Sequence, residues 1–458
     1  MKIWIYGTGQ YYQYYKKWIK QECIAGFIDR DSEKQLRGVD GHRVISPEDV
    51  DKVVDTEILV LVKEYGEVVE KLKKSGIDEN SIITYEELNK NNWTFFKRIP
   101  IEVFGEINSR EDAILCLTHN MDITGAEVAL LETVKIFIEQ GKHVYVVSAS
   151  DGRMREEFTK ERITVIIDPN LLVDDIHKAE WMDLVHPVLL FLNTVYTYSV
   201  LWHLDKDTRI IWWLHDPSAC YRDITRKSSE LIKSFTNLEV VAVSDIAKKN
   251  FLDNFSGVEV GILPFGMEDF FNKRKKHDGI IFAIIGNVCV EKGTDTVLEA
   301  IERIGDSWGN NNRLWVIGRL FENEFCKRIE IITKEKDYIT LWGEVSRETL
   351  MDLYQEIDIL ICASAEETLS AVAIEAMMNC IPCIVSDHTG IADYIENGRN
   401  GYVFETQNID DLSLVMNKTI NNTANMGSMA LNARDVYKKN FASDRFCEKV
   451  LSLISKKI

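Results

Sequence analysis

The sequence has no excess of positive charge. Against 73 aspartates and glutamates stand 54 lysines and arginines, so the formal net charge is −19. Nucleic-acid binding needs clustered Lys and Arg to neutralise phosphates, and the acidic balance therefore argues against DNA or RNA as a partner. It also weakens the case for broad adhesion to anionic lipid. Internal repeats and low-complexity tracts are missing too, which argues against a solenoid or a long disordered arm.

The chain also lacks an apolar signal core at its N-terminus and a disulfide framework. Its nine cysteines, an odd number, are scattered through apolar segments. This usage is typical of the reducing cytoplasm. Cys380 and Cys383 form a C-x-x-C, but no second pair lies nearby to supply the four ligands of a structural zinc. We therefore expect a cytoplasmic protein whose cysteines are core thiols and which binds no metal.

One uncharged run, residues 184–204, is long enough to cross a membrane but is not apolar enough. Polar residues such as His186, Asn193 and Thr197 interrupt it, and the pattern favours a buried strand followed by a helix. We expect no membrane span, and at most weak peripheral contact with the inner face of the membrane.

Strand and helix patterns alternate almost from end to end, which predicts parallel sheets covered by helices on both faces. The alternation of strand and helix patterns is interrupted at two places. The first is residues 89–112, and the second is a polar basic stretch at residues 271–279. We therefore predict three α/β units: residues 1–95, 110–272 and 278–458.

The first unit opens with a strand, the turn Gly7-x-Gly9 and a helix, and Asp29 follows the next strand. This is the layout of a Rossmann-like nucleotide-binding fold, in which glycines admit phosphate and an acid holds ribose hydroxyls. The fingerprint is incomplete, because Tyr12 occupies the third glycine position. Two interpretations stay open: nucleotide binding, or a domain used for docking or assembly.

In the second unit a strand ends at Thr118, and a loop with Asp122 and Gly125 leads into a helix. Free amides at such a helix start can bind an anion or a sugar oxygen. Further along, "RIIWWLHDP" places His215 and Asp216 at the C-terminal end of a strand, the sheet edge where open parallel sheets bind ligands. His215 is a candidate site residue, although a lone histidine is as often structural.

The third unit begins with "IIFAIIGNVCVEKG", in which Lys292 and Gly293 directly precede a helix. The lysine supplies a point charge and the helix N-terminus supplies oriented amides, a pairing suited to a diphosphate. The glycine lets the backbone approach a ligand closely.

Two carboxylates eight positions apart, Glu367 and Glu375, frame a short apolar helix near the end of the third unit. Eight residues span roughly 12 Å along a helix, so both can lie on one side without touching. That distance is too long for the carboxylate pair of a retaining glycosidase, and it suits a ligand as long as a nucleotide sugar. The simpler alternative is a solvated, charged helix face.

The second and third units together resemble the retaining glycosyltransferases of family four, which have the two-domain GT-B architecture. The resemblance covers residues 110–458 and rests on "TGAEVALLE", "LPFGMEDFF", "GNVCVEKG" and "EETLSAVAIEAMMNCIPCIVSDHTGIADYIENGRNGYVF". It implies a fold of two Rossmann-like domains, to which the smaller N-terminal α/β unit is added. That first unit resembles the small N-terminal domain of bacterial sugar O-acyltransferases.

The resemblance implies roles for particular residues. Glu375 would accept hydrogen bonds from the ribose hydroxyls of the donor nucleotide, and Glu367 would hold hydroxyls of the transferred sugar. Lys292 would neutralise the departing diphosphate, and His215 would lie on the other side of the sugar. Glu367, His215 and Lys292 are therefore the implied catalytic residues.

The remaining nucleotide-sugar-binding candidates that the resemblance implies are mostly backbone positions. The amides of Leu369 and Ser370 would share the diphosphate with Lys292. The other candidates are Gly125, Gly286, Asn287 and Thr368, which lie in three of the matching segments, and Val345, which ends the predicted strand segment "ITLWGEV". Asn287 stands where many members have an arginine, a departure that weakens the predicted diphosphate site.

The resemblance thus implies an enzyme that moves a sugar from a nucleoside diphosphate sugar, with UDP favoured, to a glycan, lipid-linked or protein acceptor in bacterial surface polysaccharide or glycoconjugate assembly. It implies retention of anomeric configuration, and neither a metal nor a further cofactor. Two alternatives remain: a catalytically silent nucleotide-sugar-binding scaffold and a nucleotide-sugar epimerase. Under the docking interpretation of the first unit, residues 1–95 would bind a protein partner or a second copy of the chain.

Overall fold

Strands and helices alternate along the computed structural model, which describes residues 2–53, 56–84, 95–108, 113–171, 180–221, 224, 226–309 and 311–455. The strands form three separate sheets, and the second sheet includes the strand Glu102–Phe104, which lies before the predicted start of the second unit. Part of the first predicted break, at residues 89–112, lies outside the described residues. The expected α/β architecture is confirmed.

The first sheet has five parallel strands in the order β3-β2-β1-β4-β5, the Rossmann order. Its strands are β1 Ile3–Tyr6, β2 Ile24–Ile28, β3 Val44–Ile45, β4 Glu57–Val60 and β5 Ile82–Thr84. Its helices are α1 Gln10–Tyr15, α2 Ser32–Arg37 and α3 Tyr65–Lys74. Trp4 and Ile5 are neighbours on β1 but lie in two separate apolar clusters, because successive side chains of a strand point to opposite faces of the sheet.

The second sheet has eight strands in the order β13-β12-β11-β10-β7-β8-β9-β6, and only its edge pair β6–β9 is antiparallel. Its strands are β6 Glu102–Phe104, β7 Ile114–Thr118, β8 Val144–Ser148, β9 Thr164–Ile167, β10 Leu189–Asn193, β11 Ile210–Leu214, β12 Leu238–Ala242 and β13 Val260–Ile262. Its helices are α4 Gly125–Glu139, α5 Met154–Lys160, α6 Glu180–Val185, α7 Arg226–Lys233 and α8 Asp245–Asn254. Strands β10 and β11 are buried at every residue, as expected of a parallel sheet covered on both faces.

The third sheet has six parallel strands in the order β16-β15-β14-β17-β18-β19, again the Rossmann order. Its strands are β14 Ile281–Ile285, β15 Arg313–Ile317, β16 Ile339–Gly343, β17 Ile359–Cys362, β18 Cys383–Ser386 and β19 Gly401–Phe404. The helices of this part of the chain are α9 Thr294–Ile304, α10 Glu324–Lys334, α11 Arg347–Leu353, α12 Ala371–Met378, α13 Ile409–Asn421, α14 Thr423–Asn440 and α15 Ser443–Ser455.

The uncharged run at residues 184–204 forms the buried strand β10 and a 3₁₀ helix, Val195–His203. This agrees with the interpretation drawn from its polar residues. Each helix in the described part of the chain is too short or too polar to cross a membrane.

The last helix returns to the second sheet. Although α15 lies in the predicted third unit, it packs against α4, and the ring of Phe446 stacks on Trp213 at 5.6 Å. One continuous apolar core therefore includes residues of both the second and the third sheet. Burial of these aromatic side chains ties the two domains together at this end of the molecule.

The first domain contacts the second through one buried asparagine. Asn170 Oδ1 accepts hydrogen bonds from the indole N–H of Trp18 and from the amide of Ile99, both at 3.1 Å. Asp168 orients this asparagine by accepting from its side-chain amide at 2.7 Å. Moving the first domain would leave these buried polar groups without their hydrogen bonds. The contacts of Asn170 therefore favour this one position of the first domain against the second.

Candidate functional site

The candidate site lies where the strand order of the third sheet reverses. Strands β14 and β17 are neighbours there, and their connections leave toward opposite sides of the sheet. Lys292 follows β14 and Glu367 follows β17. Ligands of open α/β sheets bind in the crevice at this kind of reversal.

Lys292 and Glu367 form an ion pair in this crevice. The ammonium nitrogen lies 2.9 Å from Oε2 of the glutamate, which also accepts hydrogen bonds from Ser364 Oγ at 2.7 Å and Cys362 Sγ at 3.4 Å. Burial is the largest influence on the pKa of Glu367 and alone would raise it, but the charge of Lys292 and the hydrogen bonds from Lys292, Ser364 and Cys362 together outweigh burial and the pKa falls. Burial likewise opposes the charge on Lys292, yet Glu367 raises its pKa. Both groups are therefore ionised at neutral pH.

Two glycines shape the turn that carries Lys292. Gly293 has a φ of +67°, and a Cβ there would come within 2.2 Å of the carbonyl oxygen of Ala363. Gly286 has a φ of +138°, and a Cβ there would lie 3.8 Å from Lys292 Cε. A larger residue at position 293 would push the lysine turn away from β17, so glycine is needed for the ion pair.

The expected position of Glu367 on a helix is wrong. Helix α12 begins at Ala371, and the Oγ of Ser370 caps it by accepting from the amide of Ala373 at 3.4 Å. Glu367 lies in the extended segment before this cap and pairs with Thr389 in an isolated bridge. Serine at the N-cap ends the helical pattern there, which the spacing of the two glutamates does not reveal.

The backbone around the start of α12 can still bind an anion. Among the described residues, the amides of Leu369 and Ser370 donate to no other group of the chain. Thr368, Leu369 and Ser370 lie in the segment that leads into the helix, rather than in its first turn. The partial positive charge of the helix start and these amides suit a phosphate group.

Glu375 is on α12, and both of its oxygens are already engaged. Oε1 accepts from the guanidinium of Arg347, and Oε2 accepts from the hydroxyl of Tyr354 at 2.9 Å. The carboxylate side chain is only 7% exposed, whereas that of Arg347 is 55% exposed. Each carboxylate oxygen has a second lone pair, so ribose hydroxyls could bind beside these partners.

His215 lies at the C-terminal end of β11, beside a second titratable group. Burial lowers the pKa of its imidazole to about 3, and its ring contacts Trp213 at 4.3 Å. The imidazole is therefore neutral, and within the described residues its buried Nε2 has no hydrogen-bond partner. Burial raises the pKa of neighbouring Asp216 to about 7, although its carboxylate accepts from the amide of Val195 at 2.6 Å.

The loop before α12 joins His215 to the crevice. Thr368 Oγ1 donates to the carbonyl oxygen of His215 at 2.7 Å, a contact between the third and the second domain. The structure thereby brings together His215, Lys292 and the adjacent pair Glu367 and Thr368, three places that lie far apart in sequence. Their functional roles remain predictions.

Three other predicted site residues make no hydrogen bond or ion pair with this cluster within the described part of the chain. Gly125 is the first residue of α4, after the N-cap Thr124, and a Cβ there would meet open space. Val345 packs against the core just before α11. Asn287 follows Gly286 in the lysine turn and is exposed.

Four residues of the crevice were absent from the sequence-based candidates: Ser364, Arg347, Tyr354 and Glu366. The doubled glutamate at positions 366 and 367 was a visible signal. The sequence does not show which member of the pair faces the second domain. Arg347 and Tyr354 carry no motif, and only tertiary contacts bring them to Glu375.

In the first domain, protein groups already occupy the carboxylate proposed to hold ribose. The carboxylate of Asp29 accepts two hydrogen bonds from Thr8, one from its side-chain hydroxyl and one from its amide at 3.0 Å. It also accepts one from the amide of Asp31. Lys34 donates to Thr8 Oγ1 at 2.9 Å. Nucleotide binding and docking both remain open for this domain.

A search of the described residues for three or more His, Cys, Asp or Glu side chains grouped to hold a metal ion found none.

The family comparisons divide the chain as the sheets do. A model described as "Glycosyl-transferase family 4" matches residues 110–252, and one described as "Glycosyl transferases group 1" matches residues 267–436. A third, "C2185-like, N-terminal", matches residues 1–83.

Among solved structures, Anabaena Alr3699/HepE in complex with UDP covers 75% of this chain and 99% of its own, at 16% identity and a TM-score of 0.64. The apo form of the lipopolysaccharide outer core galactosyltransferase WaaB covers 75% and 99%, at 15% identity and a TM-score of 0.61. At these identities the likeness is one of fold. Together with the two glycosyltransferase domain matches, each over less than half of the chain, this fold supports a glycosyltransferase of the GT-B architecture.

Curated relatives are similar over part of their length. Spore coat protein SA of Bacillus subtilis (strain 168) is 25% identical over 39% of this chain and 50% of the relative. The capsular polysaccharide biosynthesis glycosyltransferase CapM of Staphylococcus aureus is 22% identical over 49% of this chain and 63% of the relative. The chain thus spans less than two thirds of the length of either relative.

Proposed function

We propose that this protein is a retaining glycosyltransferase that uses a UDP-sugar as donor and needs no metal. The acceptor would be a glycan, a lipid-linked or a protein acceptor in surface polysaccharide or glycoconjugate assembly. The observation that carries the proposal is the ion pair of Lys292 and Glu367 at the strand-order reversal, next to the free amides of Leu369 and Ser370.

The pair suits a leaving diphosphate because a lysine ammonium has three donor hydrogens. Lys292 can keep its contact with Glu367 and turn the remaining hydrogens toward phosphate oxygens. The amides at the start of α12 would share the negative charge that develops as the bond to the sugar breaks. These groups would supply the electrostatic stabilisation that a metal ion gives other transferases.

Glu367 would hold hydroxyls of the sugar, and the neutral imidazole of His215 would face the same sugar from the second domain. A neutral imidazole can donate one hydrogen bond and accept another, which suits a hydroxyl better than an anion. No protein carboxylate is assigned as a nucleophile; the departing phosphate would accept the acceptor's proton on the same face, which retains the configuration.

Two observations on similar proteins support the choice of donor and process. The Anabaena neighbour has been solved in complex with UDP-glucose, where it covers 75% of this chain with a TM-score of 0.62. CapM, the Staphylococcus aureus relative, is named for capsular polysaccharide biosynthesis. Both facts belong to those proteins and motivate the assays below.

The first experiment is a thermal-shift screen of nucleotide sugars, because a ligand at 100 times its dissociation constant stabilises by ~2.7 kcal/mol. A donor found in this way is then incubated with candidate acceptors in EDTA, and the product linkage is read by proton NMR. Retention of an α linkage in EDTA supports the proposal. An inverted linkage, or activity that needs added manganese, contradicts it.

The same assay separates the two alternatives. A silent scaffold would bind a nucleotide sugar without turning it over, and the asparagine at position 287 is the feature that favours it. An epimerase would convert the donor to an isomeric nucleotide sugar in the absence of any acceptor.

A further inference from the structure

Glu366, the neighbour of Glu367, reaches across to the second domain. Its Oε1 accepts from the amide of Ser218 and from the side chain of Asn250, both at 2.7 Å. Its Oε2 accepts from the hydroxyl of Ser218 at 2.6 Å. Ser218 follows β11 and Asn250 lies on α8, so three donors of the second domain converge on one carboxylate of the third.

The backbone at this point sends the two glutamates in different directions. Glu367 lies in an extended segment. Its amide donates to the carbonyl oxygen of His388 at 3.0 Å, and its carbonyl oxygen accepts from the amide of Gly390 at 2.8 Å. Successive side chains of extended chain point to opposite sides. Glu366 therefore faces the second domain while Glu367 faces Lys292.

The surrounding contacts form a close seam between the domains. Thr368 bonds to the carbonyl of His215, and Gly390 lies so near the second domain that a Cβ would approach Ser244 Oγ to 2.6 Å. Glu366 contributes the charged part of this seam. Hydrogen bonds to a carboxylate are roughly twice as strong as those between neutral groups.

We propose that Glu366 is a positioning residue that latches the two domains in the closed arrangement, with Ser218 and Asn250 as its receptor. When the latch is engaged, His215 is held opposite Glu367 and the crevice is complete. When it is released, the domains separate and admit or discharge ligands. The effect of the latch on catalysis rests on the proposed function. The contact that holds the two domains together does not depend on that function.

The primary test needs no activity. Glu366→Ala, Asn250→Ala and the matched control Glu335→Ala, which removes an exposed charge from the same domain, are compared with wild type by small-angle scattering and hydrogen exchange. We expect the first two variants to have a larger radius of gyration and about tenfold faster exchange in residues 211–221, because a charged hydrogen bond is lost. Glu366→Gln, which keeps one carbonyl acceptor, should be intermediate.

Faster exchange confined to the seam, with unchanged melting of the rest of the chain, supports the latch. Unchanged scattering and exchange in Glu366→Ala would overturn it. So would exchange that rises equally throughout both domains, since that outcome indicates general destabilisation.

A second measurement uses UDP as the probe. Glu366→Ala should bind UDP as wild type does, while UDP-sugar turnover falls about tenfold, since the nucleotide groups belong to the third domain alone. If wild type does not bind UDP, the proposed donor fails but the scattering result still decides the latch. If UDP binding falls with Glu366→Ala as much as turnover does, the residue acts on the nucleotide and the latch is wrong.

Discussion

The ammonium of Lys292 lies 2.9 Å from the carboxylate of Glu367, so two charges carried by the loops after neighbouring strands neutralise each other within the crevice. The pairing keeps both groups ionised although both are largely buried. Removing one partner leaves the other as an uncompensated buried charge, which is more costly than the pair itself. Mutations at these two positions should therefore be interpreted together.

Lys292→Ala should lower turnover about a hundredfold or more, because one electrostatic donor to the leaving diphosphate is lost. The assay is steady-state turnover of the donor found in the screen. Lys327→Ala, an exposed lysine of the same domain, is the control. Turnover within about twofold of wild type in both variants would remove Lys292 from the mechanism.

Glu367→Gln should slow turnover while leaving affinity for UDP unchanged, because this carboxylate is assigned to the sugar and not to the nucleotide. The amide keeps the size of the side chain and one carbonyl acceptor, but it cannot form an ion pair with Lys292. Calorimetric titration of UDP and turnover of the donor, measured on the same preparation, provide the check. A loss of UDP affinity equal to the loss of turnover would place Glu367 at the nucleotide instead.

Glu375→Ala should weaken UDP binding by roughly 1.5 to 3 kcal/mol, since the ribose hydroxyls lose a charged acceptor. Wild type and the variant are titrated with UDP and with GDP, and the two affinities are compared for whichever nucleotide binds. Tyr354→Phe is the matched variant, because it removes the hydroxyl that orients Glu375 and leaves the carboxylate in place. It should cost less than Glu375→Ala, and equal affinity in wild type and Glu375→Ala would refute the assignment.

Asp216→Asn should gain stability relative to wild type as pH rises. Burial raises the pKa of Asp216 from 3.8 to about 7, so between these values the folded state holds a proton that the unfolded state has released. The contribution of this carboxyl to the free energy of unfolding therefore falls with rising pH across that window. Asparagine does not titrate, and urea unfolding at pH 4.5 and pH 7.5 measures the change.

His215 has the opposite dependence, because its lowered pKa favours the folded state as pH rises from about 3 toward 6.5. Because His215 is present in both proteins, its contribution cancels from the difference in free energy of unfolding between Asp216→Asn and wild type. A difference that stays constant between the two pH values would mean that Asp216 is not buried in solution.

We expect no strong binding to anionic liposomes at physiological salt. In the aromatic segment of residues 11–20, Tyr12 and Trp18 are buried and Lys17 lies over the ring of Trp18 at 4.1 Å, which leaves Tyr14 as its exposed large aromatic side chain. The second amphipathic segment, residues 221–235, lies partly outside the described residues. Clear co-sedimentation with phosphatidylserine vesicles would contradict the expectation and favour a lipid-linked acceptor.

The sequence by itself determined the class of fold and the sheet edges at which ligands would bind. Continuous apolar runs such as β10 and β11 predict buried parallel strands, because both faces must be covered. Lys292 with Gly293 marked a helix start, and the structure has one at Thr294. These features are local, and local chemistry is what a sequence records directly.

Only the tertiary structure decided which side chains meet. Arg347 at the start of α11 and Tyr354 directly after its end both reach Glu375 on α12, and Glu366 comes to Ser218 because two domains meet there. The spacing of the glutamates wrongly placed Glu367 on a helix, since a serine cap three residues later outweighs the periodicity. The final helix joins the second domain for a similar reason: burial of Phe446 against Trp213 rewards a contact between residues more than 200 positions apart, and no local pattern encodes such a contact.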